Sequence, residues 1–220
     1  MSHDHHHPNP DQLDLSEMFT QETWDARYAE SERIWSGNPN PRLVEHVADL
    51  APGDALDVGC GEGADAVWLA SQGWQVTALD VSEVALGKTV AHAREAGVAD
   101  RVTPLHHDLM AGAPLPGDYD LVSAQFMHPP PDLFDDVHRR IGAAVRPGGA
   151  LLVVAHHPHD VETGVREPHG PDLLFTPERV VEALGADDWD IRVADTPTRT
   201  QVIDERPVTV TDTVVLAVRR

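Results

Sequence analysis

The sequence is poor in cysteine, in basic residues and in long apolar runs, and each shortage excludes something. The single cysteine, Cys60, cannot form an internal disulfide, which favours a reducing compartment. The longest wholly apolar run is 150–155, far short of the roughly 20 residues that span a bilayer. Residues 1–10 also lack the apolar core of a signal peptide. We therefore expect a cytoplasmic protein with no membrane partner.

Basic residues are outnumbered by acidic ones. Sixteen Lys and Arg stand against 37 Asp and Glu, which gives a formal net charge of −21. Such a charge repels phosphate backbones, so we expect a small-molecule substrate and no nucleic-acid partner. The simplest role of so acidic a surface is solubility. The sequence carries no indication of the oligomeric state.

Histidine, in contrast, is abundant, with 14 residues. Several of them lie in residues 1–14, MSHDHHHPNPDQLD, a polar and Pro-interrupted stretch that we predict to be a disordered His-rich tail. His156, His157 and His159 form a second group, but no acidic or Cys ligand accompanies them at a convincing spacing. We therefore predict no metal site.

The most informative stretch is 55–70, ALDVGCGEGADAVWLA. Its apolar beginning suits a buried strand, whereas Gly59, Gly61 and Gly63 permit positive φ and leave the backbone open to a ligand. Helical spacing of apolar residues resumes from Ala64, so free N–H groups at a helix start face the turn. This pattern predicts a strand, a ligand-binding turn and a helix.

The acids next to this turn bear on the kind of ligand. The glycines also satisfy a dinucleotide fingerprint if Ala64 counts as the third small residue, and Asp80 follows at the spacing of a ribose-binding acid. Asp57 and Glu62 would repel a pyrophosphate but attract an ammonium or a sulfonium group. The acids therefore favour a cationic nucleoside, and an NAD(P)-dependent oxidoreductase is the alternative.

The same residues carry a family resemblance. LDVGCGEG (56–63) resembles the first motif of class I S-adenosylmethionine (SAM) dependent methyltransferases. LDVS (79–82), HHDL (106–109), YDLVSAQFMH (119–128) and VRPGGALLVVA (145–155) resemble that family's later motifs, in the same order. From Trp24 onward the chain is similar to the small branch that includes tellurite-resistance and thiopurine methyltransferase-like proteins.

This resemblance implies an α/β, Rossmann-like class I methyltransferase fold. The expected sheet is seven-stranded and mostly parallel, with a C-terminal antiparallel hairpin and helices on both faces. We assign residues 15–220 to a single methyltransferase domain. Within it, 15–40 is predicted to form an N-terminal lid helix, called the lid below, and 158–176 a flap insertion rich in Gly, Pro and acids.

The resemblance also implies a SAM site and its residues. Asp80 would accept the ribose hydroxyls, and Asp108 the adenine amino group, unless Asp108 only forms a turn. The lid aromatics would line the pocket, with plain core packing as the alternative. The predicted cofactor-binding residues are Asp57, Gly59, Cys60, Gly61, Gly63, Asp80, Val81, Asp108, Leu109, Gln125, Trp24, Tyr28 and Trp35.

The implied reaction is methyl transfer to a small-molecule acceptor. An in-line displacement mainly requires the nucleophile and the methyl group to be held in line in a dry pocket. An anionic sulfur or selenium needs no base, whereas a phenol or amine does, and His128 and His156 are then the candidate bases or else polar wall residues. We expect a soft (S/Se/Te) or other heteroatom nucleophile. A non-catalytic SAM-binding regulator is a further alternative, because the displacement requires no diagnostic catalytic residue.

Overall fold

A computed structural model describes residues 17–166, 173–203 and 206–220 as one mixed sheet with helices packed on both faces. The predicted tail, 1–14, lies outside the described residues. The strands are β1 (Asp54–Val58), β2 (Gln75–Asp80), β3 (Val102–His106), β4 (Tyr119–Gln125), β5 (Val145–His156), β6 (Trp189–Asp195), β7 (Thr198–Ile203) and β8 (Arg206–Arg219). The helices are α1 (Gln21–Ala29), α2 (Pro41–Val47), α3 (Ala64–Ser71), α4 (Glu83–Glu95), α5 (Phe134–Ala143), α6 (His159–Glu162) and α7 (Pro177–Leu184).

The strand order places two loops side by side at one edge of the sheet. The order is β3-β2-β1-β4-β5-β8-β6, with β1 to β5 mutually parallel and β8 antiparallel to both β5 and β6. The chain changes direction between β1 and β4, so the loops that follow these two strands diverge and leave a crevice. The predicted Rossmann-like fold with its antiparallel C-terminal strands is confirmed.

The parallel strands are buried on both faces, and their side chains alternate between two cores. Leu56 of β1 and Val122 of β4 belong to the core under α5 and α7. The preceding residues, Ala55 and Leu121, belong to the core under α2, α3 and α4. This two-residue period explains why the strands read as continuous apolar runs in the sequence.

Two elements differ from the predictions. The helix in the lid ends at Ala29 and does not continue through the rest of 15–40, because the backbone leaves the helix before Ile34 and Trp35 donate their N–H groups to Glu62. The structure also contains β7, which the pattern did not predict. The 14-residue β8 is long enough to pair with β7 through its first half and with β6 through its second.

Among the described residues, every helix is too short or too polar to cross a bilayer.

Candidate functional site

The glycines in the turn after β1 have different surroundings. Gly61 has φ +54°, and a Cβ added there would lie 2.8 Å from Tyr28 Oη. Gly59 has φ +69°, but a Cβ there would meet only Met127, at 3.9 Å. The backbone at Gly59 is therefore the part of the turn against which a ligand can lie.

Asp80, at the end of β2, holds this turn in place. Its Oδ2 accepts a hydrogen bond from the N–H of Gly61 at 2.8 Å, and its Oδ1 accepts one from the N–H of Ser82 at 2.9 Å. Burial raises the pKa of Asp80, against the effect of these hydrogen bonds. Each carboxylate oxygen of Asp80 has a second lone pair that can accept a hydrogen bond from a ribose hydroxyl. The ribose role stays a prediction.

Asp57, at the end of β1, is the least satisfied polar group of the site. It is only 1% exposed, and its Oδ2 has no hydrogen-bond partner among the described residues. Burial raises the pKa of Asp57 well above its usual range, and the nearby Asp65 and Asp80 raise it further. A buried carboxyl of this kind, next to other acids, suits a positively charged ligand group.

Asp65, in the first turn of α3, is a site residue that the sequence reasoning missed. Burial raises the pKa of Asp65 to about 6, although its Oδ1 accepts a 2.6 Å hydrogen bond from the N–H of Asn40. The Asn40 side chain in turn donates to Gln125 Oε1 at 2.7 Å, at the end of β4. Gln125 is thereby fixed at the crevice. The sequence did contain a signal that Asn40 has a structural role, because it is the N-cap residue directly before Pro41.

Glu62 has a different role from the one expected. Its carboxylate accepts hydrogen bonds from the N–H groups of Ile34 and Trp35, and it forms a 2.9 Å ion pair with Lys88 Nζ. The charge of Glu62 is thus balanced by Lys88 and committed to the lid. Because the Glu62 oxygens already have these partners, the charge argument for a cationic ligand now rests on Asp57 and Asp65, and it stays a prediction.

The lid packs over the glycine turn. Tyr28 is 4% exposed and its Oη accepts a hydrogen bond from Trp35 Nε1 at 3.2 Å. Trp24 lies 5.8 Å from Tyr28 between ring centroids, and Asp25 accepts from Ser82 Oγ at 2.6 Å. Tyr28 and Trp35 therefore lie beside Gly61, although Trp35 is 46% exposed, and Trp24 packs against Tyr28. Their role as pocket walls stays a prediction.

The predicted adenine side is held mainly by local contacts. Asp108 is exposed, and its Oδ1 accepts from the N–H groups of Met110 and Ala111, so it does form the turn that we considered as its alternative role. Leu109 is buried in the core, and the carbonyl of Val81 contacts His106 Nε2 at 3.0 Å. The adenine assignment stays a prediction.

Cys60 behaves as a packing residue. Its side chain is buried, and its Sγ lies 3.8 Å from Thr89 Oγ1. Burial raises the pKa of the Cys60 thiol well above its usual value, and Asp57 and Asp80 raise it further. The thiol is therefore a poor nucleophile.

Four rings form a row beyond the carboxyl ends of β4 and β5. We call Phe126, His156, His128 and Phe175 the ring row; successive centroids lie 4.4, 5.2 and 5.8 Å apart. Phe126 has φ +54°, a conformation that costs energy for a non-glycine residue and often marks a functional site. The sequence reasoning found the two histidines of the row but neither phenylalanine.

Both histidines of the ring row are neutral and weakly basic. Burial lowers the pKa of His128 to about 4 and that of His156 to about 2. His128 Nε2 also accepts a 3.2 Å hydrogen bond from the backbone N–H of His156, which occupies the nitrogen that a base would use. The geometry favours the polar-wall role for His128.

Two open clefts lie away from this site. One, of about 420 Å³, is at the opposite edge of the sheet, beside Asp54, Gln75 and Arg146. The other, of about 440 Å³, lies between α4 and β3, beside Leu86 and Pro104. The first cleft lies at the amino ends of parallel strands, which is not where open α/β sheets bind their ligands, and the second lies at the outer strand β3, away from the crevice between β1 and β4. We therefore assign the function to the lid-covered turn.

The chain is similar to known methyltransferases. Residues 55–149 match the family described as "Methyltransferase domain". Ribosomal RNA small subunit methyltransferase C of Alcanivorax borkumensis is 34% identical over 110 residues, which cover 48% of this chain and 33% of that protein. Ubiquinone biosynthesis O-methyltransferase of Burkholderia orbicola is 32% identical over 145 residues, 64% of this chain and 60% of that protein. The chain thus spans 33% to 60% of the length of these relatives.

A solved structure extends the likeness to most of the fold. TehB from Haemophilus influenzae superposes with a TM-score of 0.69 at 18% identity, over 91% of this chain and 67% of that chain. The methyltransferase domain match over residues 55–149 and this shared fold agree with the class I SAM-dependent methyltransferase motifs of the sequence, and SAM is the cofactor that they imply. The site fits this cofactor, because Gly59 leaves room for a ligand and Asp57 Oδ2, without a partner among the described residues, suits a cationic one.

Proposed function

We propose that the protein transfers a methyl group from SAM to a small-molecule acceptor in the crevice between the β1 and β4 loops. The observation that carries this proposal is the buried Oδ2 of Asp57, which has no hydrogen-bond partner in the described part of the chain and lies near Asp65 and Asp80. Three acids at a ligand turn would repel the diphosphate of a nicotinamide dinucleotide, whereas the ammonium and sulfonium of SAM reduce their mutual repulsion. The oxidoreductase alternative is disfavoured by the same acids.

The chain contributes to this reaction mainly by positioning and by excluding water. SAM supplies an activated methyl group on its sulfonium. Asp80 and the glycine turn hold the nucleoside, and the lid, fastened through Glu62, covers the turn. Gln125, fixed by Asn40, borders the crevice on the acceptor side. Such positioning supplies much of the rate enhancement available to an in-line displacement.

We further propose that the acceptor is a soft nucleophile that arrives as an anion, such as a thiolate or a selenolate. A phenol has a pKa of about 10, and the pKa of His128 is about 4, a gap that corresponds to about 8 kcal/mol for proton transfer. Neither histidine of the ring row is therefore an effective base for a neutral acceptor. A thiol, with a pKa of about 8.5, is already partly ionised near neutral pH.

Calorimetric titration with SAM, S-adenosylhomocysteine, NAD⁺ and NADH tests the cofactor. We expect binding of the two adenosyl compounds, and weaker binding of SAM by about tenfold in Asp57→Asn, since a charged contact is lost. Asp54→Asn, an exposed carboxylate at the other end of β1, is the matched control and should bind SAM normally. Tighter binding of a nicotinamide coenzyme than of SAM would overturn the proposal.

A screen of thiols, selenols, phenols and amines tests the reaction. The readouts are formation of S-adenosylhomocysteine and a mass increase of the acceptor by one methyl group. We expect thiols and selenols to be methylated faster than phenols of similar shape. A protein that binds SAM but methylates none of these compounds would instead be a regulator, and faster methylation of phenols would refute the soft-acceptor part alone.

A further inference from the structure

Arg166 is held firmly next to the acceptor side of the site. Its backbone N–H donates to the carbonyl of Asp160 at 2.9 Å, and its Nε donates to Asp160 Oδ2 at 3.2 Å. Asp160 is itself buried, and its other carboxylate oxygen accepts a 2.8 Å hydrogen bond from the N–H of Thr211 in β8. The guanidinium is thus anchored by its inner nitrogen, which leaves its outer nitrogens for another partner.

One of those outer nitrogens lacks a partner. Arg166 Nη2 is buried, and no described residue accepts a hydrogen bond from it. His156 Nδ1, in the ring row, is likewise buried and without a partner in the described part of the chain. A buried donor without an acceptor costs about 1–3 kcal/mol, and more when it is charged, so this pair of groups is suited to a polar ligand.

Arg166 lies near enough to the ring row to act on both of its histidines. Asp160, which anchors Arg166, accepts from the N–H of Thr211, and the carbonyl of Thr211 accepts a 3.2 Å hydrogen bond from the N–H of His157, next to His156. In agreement with this placement, the positive charge of Arg166 is one of the causes that lower the pKa of His128 and of His156, after burial. These rings follow β4 and β5, on the acceptor side of the crevice. The orphaned guanidinium nitrogen and the predicted acceptor position therefore share one region.

Two further guanidinium groups lie on this side of the sheet, and Arg42 also pairs with Glu45 at 2.9 Å. Asp212 is fully buried and accepts hydrogen bonds from both Arg42 Nε and Arg199 Nε, at 3.3 and 3.0 Å. Two guanidinium groups thus share one buried carboxylate, and the Arg199 guanidinium lies 5.8 Å from the centroid of Phe126.

We propose that the acceptor carries a separate anionic group, a carboxylate or a similar oxyanion, which Arg166 binds through its Nη2 while the nucleophile points to the methyl group. This inference rests on the proposed function for the identity of the reacting ligand. It makes Arg166 the residue that selects anionic over neutral acceptors. A charge-assisted hydrogen bond of this kind corresponds to roughly a 10- to 100-fold preference.

Binding to the protein without turnover is the first test. The protein saturated with S-adenosylhomocysteine is titrated with 4-(methylthio)benzoate and with the neutral 4-(methylthio)benzamide, and both titrations are repeated without the nucleoside. We expect the carboxylate to bind roughly 10- to 100-fold more tightly than the amide. Arg166→Gln should abolish the difference and Arg166→Lys should keep part of it. Arg192→Gln removes the same charge from an exposed ion pair with Asp190 and should leave the difference unchanged.

Turnover is the second test. With 4-mercaptobenzoate and 4-mercaptobenzamide as acceptors, we expect Arg166→Gln to raise KM for the acid and to leave kcat nearly unchanged. Equal binding of acid and amide, no binding of either, or a preference that survives in Arg166→Gln would each overturn the inference. A carboxylate preference without methylation of any acceptor would instead overturn the proposed function and leave the anion site in place.

Discussion

The contact between Glu62 and the lid provides the most direct prediction. Glu62→Gln keeps the size of the side chain but leaves one accepting oxygen in place of two, so it cannot accept from Ile34 and Trp35 and from Lys88 Nζ at the same time. It also removes the ion pair with Lys88. Because Ile34 and Trp35 lie in an irregular segment with no strand partner, we expect the lid to open locally while the sheet stays folded.

The size of the effect follows from the contacts that are lost. A hydrogen bond to a charged group contributes about 1.5–3 kcal/mol, and the contacts of one carboxylate are not additive. We expect the free energy of lid opening to fall by about 2 kcal/mol, which corresponds to roughly 30-fold faster amide exchange. SAM should bind correspondingly more weakly if the lid covers it.

Hydrogen exchange followed by mass spectrometry measures this opening. Peptides that contain residues 30–40 should exchange faster in Glu62→Gln, whereas peptides from β1, β4 and β5 should not change. Glu45→Gln, an exposed carboxylate paired with Arg42, is the matched control. Unchanged exchange at Ile34 and Trp35, or acceleration spread equally over the sheet, would refute the reasoning.

Three further predictions concern the turn, the acids and the core. Gly61→Ala should displace the lid and weaken SAM binding, measured by calorimetry, because a Cβ there meets Tyr28 Oη at 2.8 Å and Ala at positive φ costs about 1 kcal/mol or more. Gly87→Ala is the control, and it should not weaken SAM binding because there is open space around Gly87. SAM affinity should rise between about pH 5 and about pH 7.5 with release of protons, because a cation favours the ionised form of Asp65, whose raised pKa is about 6, and a flat profile would count against the charge argument. Burial lowers the pKa of His138 to about 4, below its unfolded value near 6.5, so its contribution to stability is lost as pH falls from about 6.5 to about 4. His138→Phe should therefore reduce the acid slope of the unfolding free energy by about 1.4 kcal/mol per pH unit, measured in denaturant titrations. An unchanged slope would refute this assignment.

The sequence was informative wherever a local pattern determines the structure. The alternation in β1 and β4, the glycines after Val58 and the small branched residues of β5 depend only on residues close together in the chain, and each was predicted. The glycine turn could be assigned because positive φ at Gly59 and Gly61 is a backbone requirement that few other residues meet. The motif order then sufficed to predict the fold.

The contacts that complete the site could not be predicted, because they join distant segments. Asn40 and Gln125 are 85 residues apart and meet only when the lid and β4 are in place. The contact of Glu62 with the lid depends on where Ile34 lies, 28 residues away, and could not be predicted for that reason. The ring row likewise combines residues from β5, the β4 loop and the segment before α7, and no spacing rule connects them.

The position of β8 affects how this chain can fold. β8 follows the other seven strands in the sequence, yet it separates β5 from β6. Until it inserts, the outer edge of β5 exposes a row of unpaired amides on one of the most apolar segments of the protein. Such late, non-local closure is characteristic of slow folding, so β5 is the segment that we expect to promote aggregation during refolding at high protein concentration.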